Sequence, residues 1–188
     1  MTIVPFIYEL GQLKRVKRSG WWIAHVKDPE SVAEHSFRTA LLGYLLAKEE
    51  GADAQKTAMM CLLQDVPEAR LNDLHKVGHR YIDFKAAEAK AFAEQVSSLP
   101  AASSAELKAL FSDFHDERSR EGTVARDADL LECAFTAKEY LEQGHKDCQD
   151  WIDNVRGLLK TSTAKRLLAE MEKTPSRAWW HGLKSIGR

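Results

Sequence analysis

Apolar residues in this chain recur three and four positions apart almost from end to end, and nowhere do they settle into the alternation of a half-buried strand. That period admits helices and little else. A first helix is predicted over about 3–15, followed by a loop over 19–30 punctuated by Gly20 and Pro29. Ser31 with Glu34 three residues later has capping-box spacing and should open a long helix ending near Gly51. That helix puts Phe37, Ala40, Leu41, Tyr44 and Leu45 on one face. A third helix covers about 54–64, and Pro67 disfavours α geometry at Val66, so it must end or kink there. Further helices are expected near 84–97, 104–119, 123–142, 147–159, 162–173 and 175–184. With no internal repeat or dividing linker, the expectation is one compact all-α bundle spanning 1–188.

Composition narrows the function. Across 188 residues, a formal charge of −1 gives no general attraction to nucleic acid or an anionic membrane. No apolar run reaches the roughly 18 residues of a membrane span, and Glu9 interrupts the apolar start before a signal-peptide core can form. Cys61, Cys133 and Cys148 are odd in number and lack C-x-x-C spacing, which points to reduced thiols in a cytoplasmic setting.

The stretch CLLQDVPEARLNDL, residues 61–74, is the densest clue to chemistry. Gln64 and Asp65 fall where an apolar helix runs out, and Glu68 and Asp73 follow within two turns. His35 lies one turn into the long helix, and Asp129 directly precedes the apolar part of VARDADLLECAF. A carboxylate carried inward there needs a cation or a hydrogen-bond partner. His35, Asp65 and Asp129 come from three helices and could converge on one ion. Nitrogen and carboxylate donors suit Mn²⁺, Co²⁺, Fe²⁺, Zn²⁺ or Ni²⁺.

In order along the chain, ESVAEH at 30–35, QDVPEARLND at 64–73 and RDAD at 126–129 resemble the motifs of the HD-domain phosphohydrolases. The closer resemblance is to the 5′-deoxynucleotidase branch, over roughly residues 5–145 and including RSGWWIAHVKDPESVAEHS; the C-terminal helices lie in about 146–188. The resemblance implies a divalent metal, Co²⁺, Mn²⁺ or another transition ion, held by His35, Asp65 and Asp129. It implies Glu68 as the acidic residue that handles the attacking water and Asp73 as the residue facing a deoxyribose. Trp21 would line the nucleotide pocket and Arg18 would contact phosphate, although some members place the arginine beside the tryptophan and here Ser19 and Gly20 intervene. The implied substrate is a deoxyribonucleoside 5′-monophosphate, and the implied assembly is a homodimer, with no nucleic-acid polymer or membrane as partner.

One residue departs from the pattern: the superfamily's His-Asp pair is Gln64-Asp65 in this chain. A neutral amide oxygen is a poorer ligand for a transition metal than imidazole. Three readings stay open at this point: a variant with weaker or altered metal preference, a silent nucleotide-binding protein, or a substitution that traps substrate. Elsewhere the plainer readings prevail. His75 and His79 read as a solvated face or substrate-side loop, His115 as part of a surface charge network with Glu117 and Arg118, and Asp127 as a surface or supporting residue. Trp179 and Trp180 read as closing the core or an interface, and KRVKR at 14–18 as a solvated face apart from Arg18.

Overall fold

The computed structural model describes residues 2–181 and Leu183. Helices α1 (Val4–Leu10) and α2 (Gly20–Ile23) precede the long α3 (Val32–Glu50) and α4 (Ala54–Leu63). After a single turn, α5 (Glu68–Leu71), come α6 (Phe84–Gln95), α7 (Ala101–Asp116), the longest helix α8 (Arg120–Glu142), α9 (Gln149–Leu158) and α10 (Ser162–Lys173). Among the described residues the only strand-like pairing is an isolated bridge between Lys17 and Ser31. The all-α expectation holds.

Helix α3 packs on α4 and α8 and forms the centre of the bundle. Its start is fixed as its sequence requires: Ser31 Oγ accepts from Glu34 N while Glu34 Oε2 accepts from Ser31 N. Gly51, with φ 67°, closes it in the left-handed conformation that glycine adopts without strain. A Cβ on Gly43 would sit 2.6 Å from Cys61 Sγ, so glycine lets α3 and α4 approach closely.

Two apolar clusters flank this axis. One gathers Trp21, Leu46, Met60, Phe114, Leu131 and Ile152; the other gathers Phe6, Val32, Leu63, Val66, Phe92 and Phe111. Met60 and Leu63 lie one turn apart in α4 yet belong to different clusters, so the end of α4 marks the seam between them.

Several expectations need correction. The first helix breaks after Leu10 into a 3₁₀ turn over Gly11–Lys14, and the predicted loop at 19–30 contains α2. Near the C-terminus only the 3₁₀ turn Ala178–Trp180 is helical; Gly182 and Lys184, inside the helix predicted at 175–184, lie outside the described residues. Asp127 is buried, not at the surface: its carboxylate accepts from Lys160 N, Thr161 N and Thr161 Oγ1 and so anchors the entry to α10. His115 is half-buried against Phe111 and Phe114; burial, Arg126 and Lys85 push its pKa down to about 4.

Candidate metal centre

At the seam, α3, the turn that leaves α4, and α8 each direct a polar side chain to one point. His35 is fully buried, with Nε2 3.1 Å from Asp129 Oδ1 and 3.5 Å from Asp65 Oδ2. Donors bound side by side on an octahedral ion at about 2.1 Å lie about 3 Å apart. His35 Nε2 therefore stands at or near neighbouring-ligand distance from each carboxylate, and this nitrogen and oxygen donor set suits a divalent cation. Gln64 completes the wall: its amide nitrogen lies 3.2 Å from both His35 Nε2 and Asp129 Oδ1.

The opposite nitrogen of His35 fixes the ring. Nδ1 makes a short hydrogen bond to Glu132 Oε2, while Glu132 Oε1 accepts from Arg38, whose guanidinium also reaches Glu139 and Thr136. Burial opposes ionising Glu132, but His35 and Arg38 prevail and hold its pKa down to about 2. Burial and Arg18 likewise oppose charge on His35, whereas Glu132 and Asp129 raise its pKa well above the usual imidazole value. The surroundings thus favour a cation at Nε2, whether a proton or a metal in its place.

His35, Glu132 and Cys133 form an alternative grouping, with ligand atoms within 4.8 Å of one another. Geometry disfavours it as a metal site. Glu132 is engaged by His35 and Arg38, and Arg18 Nη2 lies 3.2 Å from Cys133 Sγ. Burial pushes the Cys133 thiol up to about 12, so without a metal it is a neutral thiol.

Two arginines balance the Asp65 and Asp129 carboxylates. Arg126 donates to Asp129 Oδ2 at 2.8 Å, leaving Oδ1 to face His35. Arg18 turns inward from the basic run, placing Nη1 3.2 Å from Asp65 Oδ2 and 3.4 Å from Asp73 Oδ2. Asp73 in turn accepts from Ser19 N and Oγ at 2.8 and 2.7 Å. The chain reverses before it at Asn72, whose φ of 61° is unusual for a residue with a side chain. Glu68 is buried with Oε2 unpaired; burial, then Asp65, raises its pKa well above the carboxylate range.

His35, Gln64, Asp65, Asp129, Arg18 and Asp73 are thus brought together, and Glu68 is within their electrostatic reach. Trp21 is not part of this wall. It is 2% exposed, packed against Tyr140 and Trp151 with Nε1 donating to Glu30, so its place is in the core. Sequence reasoning missed Glu132, although it lies one turn past Asp129 where a partner for His35 could be sought. It also missed Glu88 on α6, which burial and Asp65 push up to about 7; no motif marks that position.

An all-helical bundle with an imidazole and carboxylates converging from its central helices and the turn that leaves α4 defines a class of proteins built around a ligand-rich buried centre. Within it, this chain belongs to the HD domain family, whose model matches residues 10–171. It is 28% identical over 174 residues to the 5'-deoxynucleotidase HDDC2 of Bos taurus, covering 91% of this chain and 84% of that protein. The HDDC2 5'-deoxynucleotidase of Dictyostelium discoideum is 29% identical over 183 residues, covering 90% of this chain and 96% of the relative. Among solved structures, a conserved hypothetical protein from Pyrococcus furiosus superposes with a TM-score of 0.77 at 30% identity, covering 91% of this chain and 99% of that one. The family resemblance read from the motifs is borne out.

Proposed function

We propose that this chain is a metal-dependent phosphomonoester hydrolase acting on deoxyribonucleoside 5′-monophosphates. The observation that carries the reading is the placement of His35 Nε2 3.5 Å from Asp65 and 3.1 Å from Asp129, with the buried, unpaired Glu68 within their electrostatic reach. The names of the curated relatives support the substrate class.

His35, Asp65 and Asp129 would hold the ion, which when bound polarises the phosphate and acidifies a water. The chain's own residues do the rest. Glu132 keeps the proton of His35 on Nδ1, so Nε2 is presented as a lone pair. The buried oxygen of Glu68 orients the attacking water or returns a proton to the leaving alkoxide. Arg18 supplies positive charge for a dianionic phosphate while Asp65 and Asp73 hold its guanidinium in place. Asp73, pinned by Ser19, presents a fixed carboxylate edge to the sugar.

Phosphate release from a panel of deoxyribonucleoside monophosphates with added Mn²⁺ or Co²⁺ tests the proposal, with Gln64→His run beside the chain itself. Turnover by the native chain is the expected result. Turnover by Gln64→His alone means the present sequence is an inactive form, and turnover by neither sinks the substrate reading. The rival is a silent nucleotide-binding protein, in which the Gln64 amide stays bonded to His35 and Asp129 in place of an ion. The expected homodimer would use the exposed stripe Phe37, Leu41, Tyr44 and Leu45 of α3, where a second copy would supply the matching apolar surface. The free cysteines accord with a cytoplasmic setting.

A further inference from the structure

We propose that Gln64 remains a metal ligand through its amide oxygen, and that the resulting set of one nitrogen and three oxygens shifts this site away from Zn²⁺ and Ni²⁺ toward a hard ion, Mn²⁺. The inference rests on the metal-site part of the function proposed above and concerns which ion that site takes.

Position is the first support. Gln64 is 1% exposed, and its backbone is held by the bond from its N to Met60 O at 3.1 Å. Its terminal amide atom is 3.2 Å from His35 Nε2 and 3.2 Å from Asp129 Oδ1, close to the 3.1 Å between those two donors. The amide therefore occupies another cis position around the same point, where the family places a histidine.

Chemistry supplies the second support. The amide nitrogen faces His35 Nε2 and Asp129 Oδ1; the carboxylate accepts from it, and the imidazole accepts only where Nε2 carries no proton. A metal would take the lone pairs of His35 Nε2 and Asp129 Oδ1, and an amide nitrogen between them then has nothing to offer. Turning the amide by 180° exchanges nitrogen for oxygen in almost the same volume and delivers a third oxygen. The orientation of Gln64 is thus coupled to metal occupancy. Replacing one imidazole by a carbonyl oxygen weakens binding of imidazole-seeking ions most and of oxygen-seeking ions least.

Metal-stripped protein is titrated with Mn²⁺ alone and with Zn²⁺ alone, without nucleotide. Bound Mn²⁺ is read from loss of the free-ion paramagnetic resonance signal, and Zn²⁺ by competition with a chromophoric chelator. Gln64→Ala should weaken Mn²⁺ binding by about tenfold, because one ligand is removed. Gln64→His should tighten Zn²⁺ at least about tenfold more than it tightens Mn²⁺. Gln64→Glu, equal in shape and anionic, should tighten Mn²⁺ and serves as the check should Gln64→Ala fail to fold. Unchanged Mn²⁺ affinity in Gln64→Ala, equal gains for both ions in Gln64→His, or no Mn²⁺ bound by the native chain would each overturn the assignment. Because no substrate is present, failure of phosphate release alongside the expected metal pattern refutes only the substrate reading.

Discussion

On the inner side of α3, His35 and Thr39 are fully buried and Ser36 nearly so, while on the outer side Phe37 and Leu45 are 66% and 60% exposed. The inner side also buries Val32, Leu46 and Ala47, so what departs from the usual amphipathic pattern is the polar group within that side and the apolar stripe on the outer one. The inner polar groups are tolerated because each has a partner: His35 bonds Glu132 and Asp129, Thr39 Oγ1 donates to His35 O, and Ser36 Oγ to Val32 O. The outer apolar groups are left largely exposed. One face is therefore closed within the monomer and the other is open to something outside it, and the two should respond to mutation in opposite ways.

The largest effect is expected from His35→Leu. Leucine keeps the bulk but strands Glu132 and Asp129 as buried carboxylates without their imidazole partner, a loss of roughly 3–5 kcal/mol by analogy with broken buried pairs. Thermal unfolding should show a large fall in Tm, and metal binding should vanish. A nearly unchanged Tm would mean that the inner face is not the closed network described.

Next is Glu132→Gln, which retains an acceptor for His35 Nδ1 but removes the charge. The fold should persist while metal affinity falls by about 10–100-fold, the usual effect of losing such a supporting carboxylate. Equal metal affinity would leave Glu132 with a packing role alone. Gly43→Ala should follow at about 1–3 kcal/mol, because the added Cβ meets Cys61 Sγ at 2.6 Å in a wall that cannot recede without moving α4. Denaturant unfolding measures it, with metal binding expected to survive.

The uneven legibility of the molecule follows from the same contrast. Helix positions were readable because caps and period are local: Ser31, Glu34, Gly51 and Pro67 act within a turn or two of themselves. The direction in which α3 presents its faces was not, because an apolar stripe records burial in something without saying whether that is the monomer's core. Individual site residues were identified chiefly through ordered motifs. Glu132 and Arg38 escaped because their role depends on a partner 97 or 94 residues away, a spacing that no helical period encodes. Trp21 lay inside a motif yet sits in the core, since a buried indole with Tyr140 and Trp151 as neighbours is satisfied by packing. Asp127, a surface or supporting residue by sequence, is drawn inside by the backbone N–H groups at the start of α10, a contact more than 30 residues away.

The smallest change in monomer stability belongs to the outer face. Leu41→Glu with Leu45→Glu puts charge where the described chain makes few internal demands, so the monomer should shift by no more than about 0.5 kcal/mol per site. Assembly should respond instead: a native homodimer through this stripe would have to bury two glutamates against two from its copy, and sedimentation should report monomers. Because Arg38 lies between Phe37 and Leu41 in sequence and also holds Glu132, an interface here would cover the outer end of the chain of contacts leading to His35. If the double variant stays dimeric, the stripe is not the twofold surface. If the native chain is itself a monomer, the outer face loses its assigned occupant while the inner face keeps its buried network.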